Sequence, residues 1–307
     1  MHRKTRRFLN LTLILMSMLP ALHSQPEPTA PRLILTPAIL GSLRQESLPR
    51  ERLALYRERL YAQAEELLQT DPIVYEKPDG FRLLPVSREL FDRVTILGLA
   101  YRLSGKAAYA EAAVENMLAA AEFPDWNPIH FLDTAEMAAA VGLGMDWLRD
   151  VIPEDRRIRL RNAIMGKAVA PYLAAHAGAE RGIELEPINW VGLDTNWNLV
   201  CNGGIAVAVM AIVDREERED LHLLETVLAI LREQFPIALA AYEPDGAYPE
   251  GTMYWGYGSF YAALTLDALA TALDDRSLLP AARAFLESGE YVLHAHGPRD
   301  FPLTYAD

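Results

Sequence analysis

Residues 135–148 read Ala-Glu-Met-Ala-Ala-Ala-Val-Gly-Leu-Gly-Met-Asp-Trp-Leu, an alanine-rich and amphipathic pattern that is typical of a helix. The same style recurs at residues 109–121, which read Tyr-Ala-Glu-Ala-Ala-Val-Glu-Asn-Met-Leu-Ala-Ala-Ala. Small residues let helices approach closely, and antiparallel helix pairs stacked in sequence order build a solenoid that can close into a ring. The sequence therefore predicts an all-α protein, an (α/α) toroid of helical hairpins.

Helical patterns cover most of the chain, and no sustained run shows the alternation of a strand. The first helix follows a short extended piece at Leu33–Leu35 and begins with Thr36 as its cap and Pro37 as its first residue. Turn residues separate the later segments. The predicted helices are 37–46, 51–70, 88–103, 107–122, 132–149, 154–176, 197–213, 219–234, 252–273 and 278–295.

The first residues resemble a secretory signal peptide. Four basic residues within the first seven precede an apolar run from Phe8 to Leu22, which Pro20 interrupts, and a plausible cleavage site follows Ser24. The run is too short to span a membrane. We expect a periplasmic or secreted protein without a membrane span. The predicted organisation is a signal peptide at 1–24, a leader at 25–35, the toroid domain at 36–296 and the start of a linker at 297–307.

The composition is that of an acidic globular protein, with 51% apolar residues and 23% charged residues. The formal charge is −13, and cleavage of the signal would remove four basic and no acidic residues, which gives −17. Such acidity argues against nucleic acid as a partner. It also repels a polyanion at long range, so a site for one would need local donors and cations. The only cysteine, Cys201, excludes an intrachain disulfide, and no motif indicates a metal site, a phosphate-binding loop or any cofactor.

The first polar loop is Pro124-Asp-Trp-Asn-Pro-Ile-His-Phe-Leu-Asp-Thr-Ala-Glu136. His130, Asp133 and Glu136 could cluster where a helix begins, and His130 is a candidate ligand-binding or catalytic residue. The alternative is local. Asp133 would then cap the helix, and Glu136, three residues on, would complete a pair like a capping box.

The second polar loop, residues 189–204, has asparagine at four positions and two tryptophans, Trp190 and Trp197. Amides donate hydrogen bonds to hydroxyl or carboxylate oxygens, and indoles stack on sugar faces, so the loop resembles a carbohydrate platform. Cys201 on the same stretch is interpreted as a small buried apolar group.

The third stretch runs from Tyr242 to Tyr261, a polar turn that leads directly into an aromatic helix. Tyr254, Tyr257 and Tyr261 fall at helical spacing and share one face. A tyrosine in the first turn lies at the positive end of the helix dipole, which favours the phenolate and suits acid–base chemistry. The alternative is that all three tyrosines pack in the core.

Five motifs in this order resemble the heparinase II/III-like polysaccharide lyases. They are Leu33-Ile-Leu-Thr, Ala100-Tyr-Arg-Leu-Ser-Gly, His130-Phe-Leu-Asp-Thr-Ala-Glu, Asn196-Trp-Asn-Leu-Val-Cys-Asn-Gly-Gly and Tyr248-Pro-Glu-Gly-Thr-Met-Tyr-Trp-Gly-Tyr-Gly. The resemblance runs from about Leu33 to Asp307. It implies an (α/α) toroid followed by an antiparallel β-sandwich, and this chain would end where that sandwich begins.

The resemblance also implies β-elimination on a uronic-acid-containing glycan, without a cofactor. By position, Asn196 would neutralise the substrate carboxylate and Tyr254 would act as acid and base, although Tyr257 is one helical turn away. Trp197 stands where the family has a histidine, which is a departure. The residues expected to bind substrate are His130, Trp197, Asn198, Glu250 and Tyr257.

Two alternatives remain from the residues alone. A glycoside hydrolase on a similar helical toroid would need two carboxylates, for which Asp133, Asp194, Asp245 and Glu250 are available. The other alternative is a catalytically silent glycan-binding protein. Lyase products carry a C4–C5 double bond, whereas hydrolase products do not.

Overall fold

The structure is a computed structural model that describes residues 31–44, 50–180 and 189–297; at positions 50, 51, 179 and 180 only the backbone is described. These residues are predominantly helical and contain no β-strand, which confirms the predicted all-α class. The predicted signal peptide and most of the predicted leader and linker lie outside the described residues. None of the helices in the described ranges is both long enough and apolar enough to cross a membrane.

The helix boundaries lie close to the predicted ones. In chain order the α-helices are α1 Pro37–Arg44, α2 Arg50–Leu67, α3 Leu84–Ser104, α4 Ala107–Glu122, α5 Phe131–Trp147, α6 Glu154–Ile164, α7 Ala170–Glu180, α8 Asn196–Ile212, α9 Arg218–Leu239, α10 Gly251–Leu273, α11 Arg283–Glu287 and α12 Gly289–His294. A π-helical segment, Met165–Val169, joins α6 to α7, and short 3-10 helices occur at Pro128–His130 and Ala240–Tyr242.

Four helices, α3, α5, α8 and α10, form the interior. Each packs on the next along this series, and every residue of α5 is buried. Phe91 of α3 also meets Phe260 of α10, with ring centroids 5.5 Å apart, so the first and last of the four are neighbours. Almost all residues of α5 and α8 are buried, because a helix that is apolar on all sides must lie inside, whereas α3 and α10 bury only part of their surface.

The four inner helices run in the same direction. Near their amino ends, Glu136 of α5 contacts Arg88 of α3 and Tyr257 of α10. Deeper along the helices, Trp147 of α5 packs on Gly98 of α3. The chain returns between them through α4, through α6 and α7, and through α9. This alternation agrees with the predicted helical hairpins; closure into a toroid stays a prediction.

Glycines bring the backbones of α5 and α8 together at two heights. A Cβ atom on Gly142 would lie 2.7 Å from the Cα of Ala208, and one on Gly204 would lie 2.5 Å from the carbonyl oxygen of Ala135. Both distances are shorter than any real side chain tolerates. The small residues therefore permit the close helix approach that the sequence predicts.

Two local predictions were wrong. The predicted helix at 278–295 is divided into α11 and α12 at Ser288, whose hydroxyl accepts a hydrogen bond from Trp255 Nε1 at 3.0 Å. The predicted extended piece at Leu33–Leu35 is a turn, in which Ile34 has a φ of 63° and the amide of Leu35 donates to the carbonyl of Leu33. In both places tertiary contacts override the local pattern.

Candidate functional site

The predicted site residues, with the exception of Asn198, lie at the amino ends of the inner helices. Each helix carries about half a positive charge at that end, together with unpaired N–H groups. Because α3, α5, α8 and α10 are parallel, these partial charges lie at one end of the molecule. This end of the molecule suits anionic ligands, despite the acidic composition.

His130 is the residue immediately before α5, and its ring is fixed by Asp133. The Nδ1 atom of His130 lies 2.6 Å from Oδ1 of Asp133, and both side chains are buried. With Asp133 accepting at Nδ1, the Nε2 atom of His130 is the ring nitrogen left to exchange a proton, and it has no hydrogen-bond partner among the described residues. The pair has the arrangement of a base and its orienting carboxylate.

The alternative interpretation of this loop, a capping box, is wrong. His130, not Asp133, occupies the cap position of α5, and no side chain caps the helix. Asp133 instead accepts hydrogen bonds from the backbone N–H of Leu83 and from Nδ2 of Asn127, both at 2.7 Å. Its remaining bond is to His130. Three partners around one carboxylate fix its position against the ring of His130.

Asn127 and Lys77 extend this network, and neither residue is predicted from the sequence. Asn127 is buried, has a left-handed φ of 58°, and accepts a hydrogen bond from Nζ of Lys77 at 2.7 Å. Asparagine tolerates this conformation better than most residues, and strained backbone is frequent at functional sites. The Asn-Pro pair before His130 was the available signal for a special turn.

Aromatic rings flank His130 on two sides. The ring of Trp197 meets it edge-on with centroids 4.9 Å apart, and the ring of Phe81 does so at 5.7 Å. Trp197 is half-buried and Phe81 is 42% exposed, so both offer apolar surface at the mouth of the site. Such surface is suited to stacking on a sugar ring.

Glu136, one turn into α5, joins three inner helices. Its Oε1 atom accepts hydrogen bonds from Arg88 Nε at 3.2 Å and from the hydroxyl of Tyr257. The Arg88 guanidinium lies over the Tyr257 ring, 4.8 Å from its centroid. Burial raises the pKa of Glu136 to about 7, against the opposing effect of Arg88. Burial also raises the pKa of Tyr257 well above its usual range, so Tyr257 is a neutral hydroxyl that can donate a proton.

Asn196 and Glu250 are held together where α8 and α10 begin. Glu250 accepts hydrogen bonds from the backbone N–H of Asn196 at 2.7 Å and from its Nδ2 at 2.8 Å, and Tyr248 donates a third at 2.9 Å. The Oδ1 atom of Asn196 is buried and has no partner among the described residues. An unsatisfied buried acceptor is costly, about 1–3 kcal/mol, and marks a place where a ligand donor could bind.

Tyr254 lies on the side of α10 that faces α8. A Cβ atom on Gly258 would lie 3.4 Å from the Cβ of Asn196, and Tyr254 is one helical turn before Gly258. Residues four apart share a helix face, so Tyr254 lies on the same side of α10 as Gly258, the residue that meets Asn196. Tyr254 is half-buried, whereas Tyr261 is fully buried with its hydroxyl unpaired among the described residues. Tyr261 is therefore a residue of the packed core.

Asn198 is not brought to this group. Its side chain is completely buried in the core, where Nδ2 donates to the carbonyls of Leu193 and Gln234, and Oδ1 accepts from Asn202. Its polar groups are therefore committed within the protein. Asp194 and Asp245, two of the carboxylates considered for hydrolysis, are exposed on the surface.

In chemical terms, the site combines a His–Asp pair, tyrosine hydroxyls, a cation and an amide oxygen that has no partner among the described residues. In the described part of the chain, no group of three or more His, Cys, Asp and Glu side chains is placed to hold a metal ion. Comparison of the chain with models of known protein families gives no match, and comparison with curated proteins gives no significant match. The lyase resemblance therefore remains a prediction from the residues.

Proposed function

We propose that this protein is an exported polysaccharide lyase that cleaves a uronic-acid-containing glycan by β-elimination. In this reaction a base removes the C5 proton, the electron pair forms the C4–C5 double bond, and the C4–O4 bond breaks with a proton supplied to the leaving oxygen. The reaction needs a base, an acid and a means of stabilising the carboxyl group.

His130 is the proposed base. Its Nδ1 atom is occupied by Asp133, so Nε2 is the atom that takes the C5 proton, and Asp133 stabilises the imidazolium that forms. This assignment compensates for the tryptophan at position 197, because the ring of His130 lies directly beside it. Trp197 would then contact the sugar rather than exchange protons.

Tyr254 is the proposed proton donor to the leaving oxygen. It is half-buried and lies on the side of α10 that carries Gly258, the residue that meets Asn196. Tyr257, one helical turn further along α10, donates its hydroxyl hydrogen bond to Glu136, and its ring packs against the Arg88 guanidinium. This arrangement favours Tyr254 over Tyr257 as the residue that meets substrate.

Asn196 is the proposed partner of the substrate carboxyl group. Glu250 holds its Nδ2, which leaves Oδ1 as a hydrogen-bond acceptor, so the substrate carboxyl must take up a proton from solvent on binding in order to donate to it. Since Asn196 is 1% exposed, this contact requires a neighbouring side chain to move aside. The positive ends of the four inner helices favour the negative charge that develops on the carboxyl group.

The observation that carries the proposal is the placement of His130, Asn196 and Tyr254 at one end of the inner helices. The test is the ultraviolet absorbance of unsaturated product when purified protein is mixed with heparin, heparan sulfate, chondroitin, hyaluronan or alginate. We expect a rise with at least one glycan and none with the His130→Gln variant. No unsaturated product from any of the five would contradict the proposal.

A glycoside hydrolase is the second candidate, because Glu136 has the protonation behaviour of a general acid. Its pKa of about 7 would keep part of the population protonated at neutral pH. New reducing ends without ultraviolet absorbance, lost in the Glu136→Gln variant, would favour hydrolysis over elimination.

A further inference from the structure

Arg88 is the accessible member of the cluster that it forms with Glu136 and Tyr257. Its side chain is 42% exposed, whereas that of its partner Glu136 is 4% exposed. It lies in the second turn of α3, close to the positive end of that helix. A cation is unfavourable at this position, because the helix dipole repels it. Glu136 offsets part of that cost, but it binds only one edge of the guanidinium.

No second carboxylate of the described residues forms an ion pair with the guanidinium. Nε bonds to Glu136, and the side chain of Arg88 also forms a hydrogen bond with Tyr257. The face of the group lies over the Tyr257 ring, which restricts its rotation. An arginine held in this way presents the two terminal nitrogens as a fork, which matches the two oxygens of a carboxylate.

The neighbouring cations are already engaged. Arg82 forms an ion pair with Asp79 at 2.6 Å, and Nζ of Lys77 donates to Asn127 at 2.7 Å. In a chain with a formal charge of −13, long-range attraction cannot gather an anionic glycan, so a local cation must do so. Arg88 is the cation whose remaining hydrogen-bond donors best fit this task.

We propose that Arg88 is the residue that selects acidic over neutral sugars by binding a substrate carboxylate through its two terminal nitrogens. The proposal rests on the proposed function for the nature of the glycan. Glu136 then acts as a positioning residue, because its bond to Nε aims the fork away from the core. Tyr257 is a second positioning residue, because its ring packs against the face of the guanidinium.

The test is isothermal titration calorimetry with tetrasaccharides of alginate, heparosan, chondroitin and hyaluronan, and with cellotetraose as the neutral probe. We compare Arg88→Gln with Arg82→Gln, which removes the same charge from the same part of the surface. We expect wild type to bind at least one acidic tetrasaccharide and not cellotetraose. Arg88→Gln should weaken binding by about tenfold or more, and Arg82→Gln by less than about twofold.

Two further variants keep the result interpretable. Arg88→Lys retains the charge without the fork and should weaken binding several-fold. The double variant Arg88→Gln/Glu136→Gln removes both partners of the ion pair, so no buried carboxylate is left unpaired. A thermal melt checks that each variant is folded. Equal binding by wild type and this double variant, or equal losses for the Arg82 and Arg88 variants, would overturn the proposal. So would binding of none of the acidic tetrasaccharides by wild type.

The outcome for Arg88 is separable from the outcome for catalysis. If wild type binds an acidic tetrasaccharide through Arg88 but forms no unsaturated product, the lyase proposal fails and the role of Arg88 stands. If unsaturated product forms and the KM for the acidic glycan is the same in Arg88→Lys as in wild type, the lyase proposal stands and the role of Arg88 is refuted.

Discussion

The ring of His130 stands edge-on to the ring of Trp197, with 4.9 Å between their centroids. One residue comes from the start of α5 and the other from the first turn of α8, so only the parallel packing of these helices brings them together. The lyase resemblance places a histidine at position 197. The structure puts a different histidine beside that position.

We first predict that His130→Gln abolishes elimination and that Asp133→Asn lowers kcat by about a hundredfold or more. An asparagine at 133 would still hold the ring but would favour the wrong tautomer. His222→Gln is the matched control, because His222 is exposed on the outer helix α9. Steady-state rates and their pH profiles are the measurement. Full activity of the His130→Gln variant would show that His130 is not the base.

The second prediction separates the two tyrosines. Tyr254→Phe should abolish product formation with little change in KM, because it removes the proton donor and leaves the ring in place. Tyr257→Phe should retain measurable activity but bind substrate less well, since Arg88 loses a hydroxyl from its supporting group. The reverse pattern would assign the proton transfer to Tyr257.

The third prediction concerns acid stability. Burial lowers the pKa of His176 from 6.5 to about 4, and its ring packs against Tyr172 and Trp190. The unfolded chain therefore binds a proton between pH 6.5 and 4 that the folded chain does not, and wild type loses stability as the pH falls through this window. Urea unfolding of wild type and His176→Gln should show that the difference in unfolding free energy shrinks with acidification. A constant difference would contradict the burial argument.

Glu136 should have the opposite effect on stability. Because burial raises its pKa from 4.5 to about 7, the folded chain holds a proton that the unfolded chain releases in this window. Stability should consequently fall as the pH rises from 4.5 to 7, and Glu136→Gln should remove that slope. The same urea titrations measure it. If wild type and the variant change in parallel between these pH values, Glu136 is ionised throughout.

The fifth prediction tests the contact between α5 and α8. Gly204→Ala should destabilise the protein by about 1–3 kcal/mol, because the added methyl group would meet the carbonyl oxygen of Ala135. Gly166→Ala is the control. Apart from its chain neighbours and its own helix backbone, no atom lies within 4 Å of the position where its Cβ would be, so alanine should be neutral or slightly stabilising. Similar thermal midpoints for the two variants would show that the backbones are not in contact.

The sequence predicted the helices well because their boundaries depend on local features. Alanine-rich amphipathic patterns and turn residues place α4 at the predicted 107–122, and α10 within one residue of its predicted start. The region after Leu278 was less predictable. Its helix is divided where Ser288 meets Gly246 and Trp255, which are distant in sequence.

The site was predictable only in part, because many of its contacts join residues that are distant in sequence. Motifs identified His130, Asn196, Glu250 and the tyrosines, but the partners of Glu136 lie on α3 and α10 and leave no local pattern. The capping-box interpretation was reasonable from spacing, and tertiary hydrogen bonds outweighed it. Asn198 was predicted to bind substrate because it lies in a polar motif, but its side chain forms hydrogen bonds inside the core.

The two glycine contacts between α5 and α8 also limit how the site can open. Sliding or rotation of one helix along the other would drive backbone into backbone at Gly142 and at Gly204. The pair should therefore move as one rigid body. The buried oxygen of Asn196 can then be reached only by rotation of side chains such as Trp197 or Tyr254, so gating would be faster and smaller in amplitude than a hinge motion.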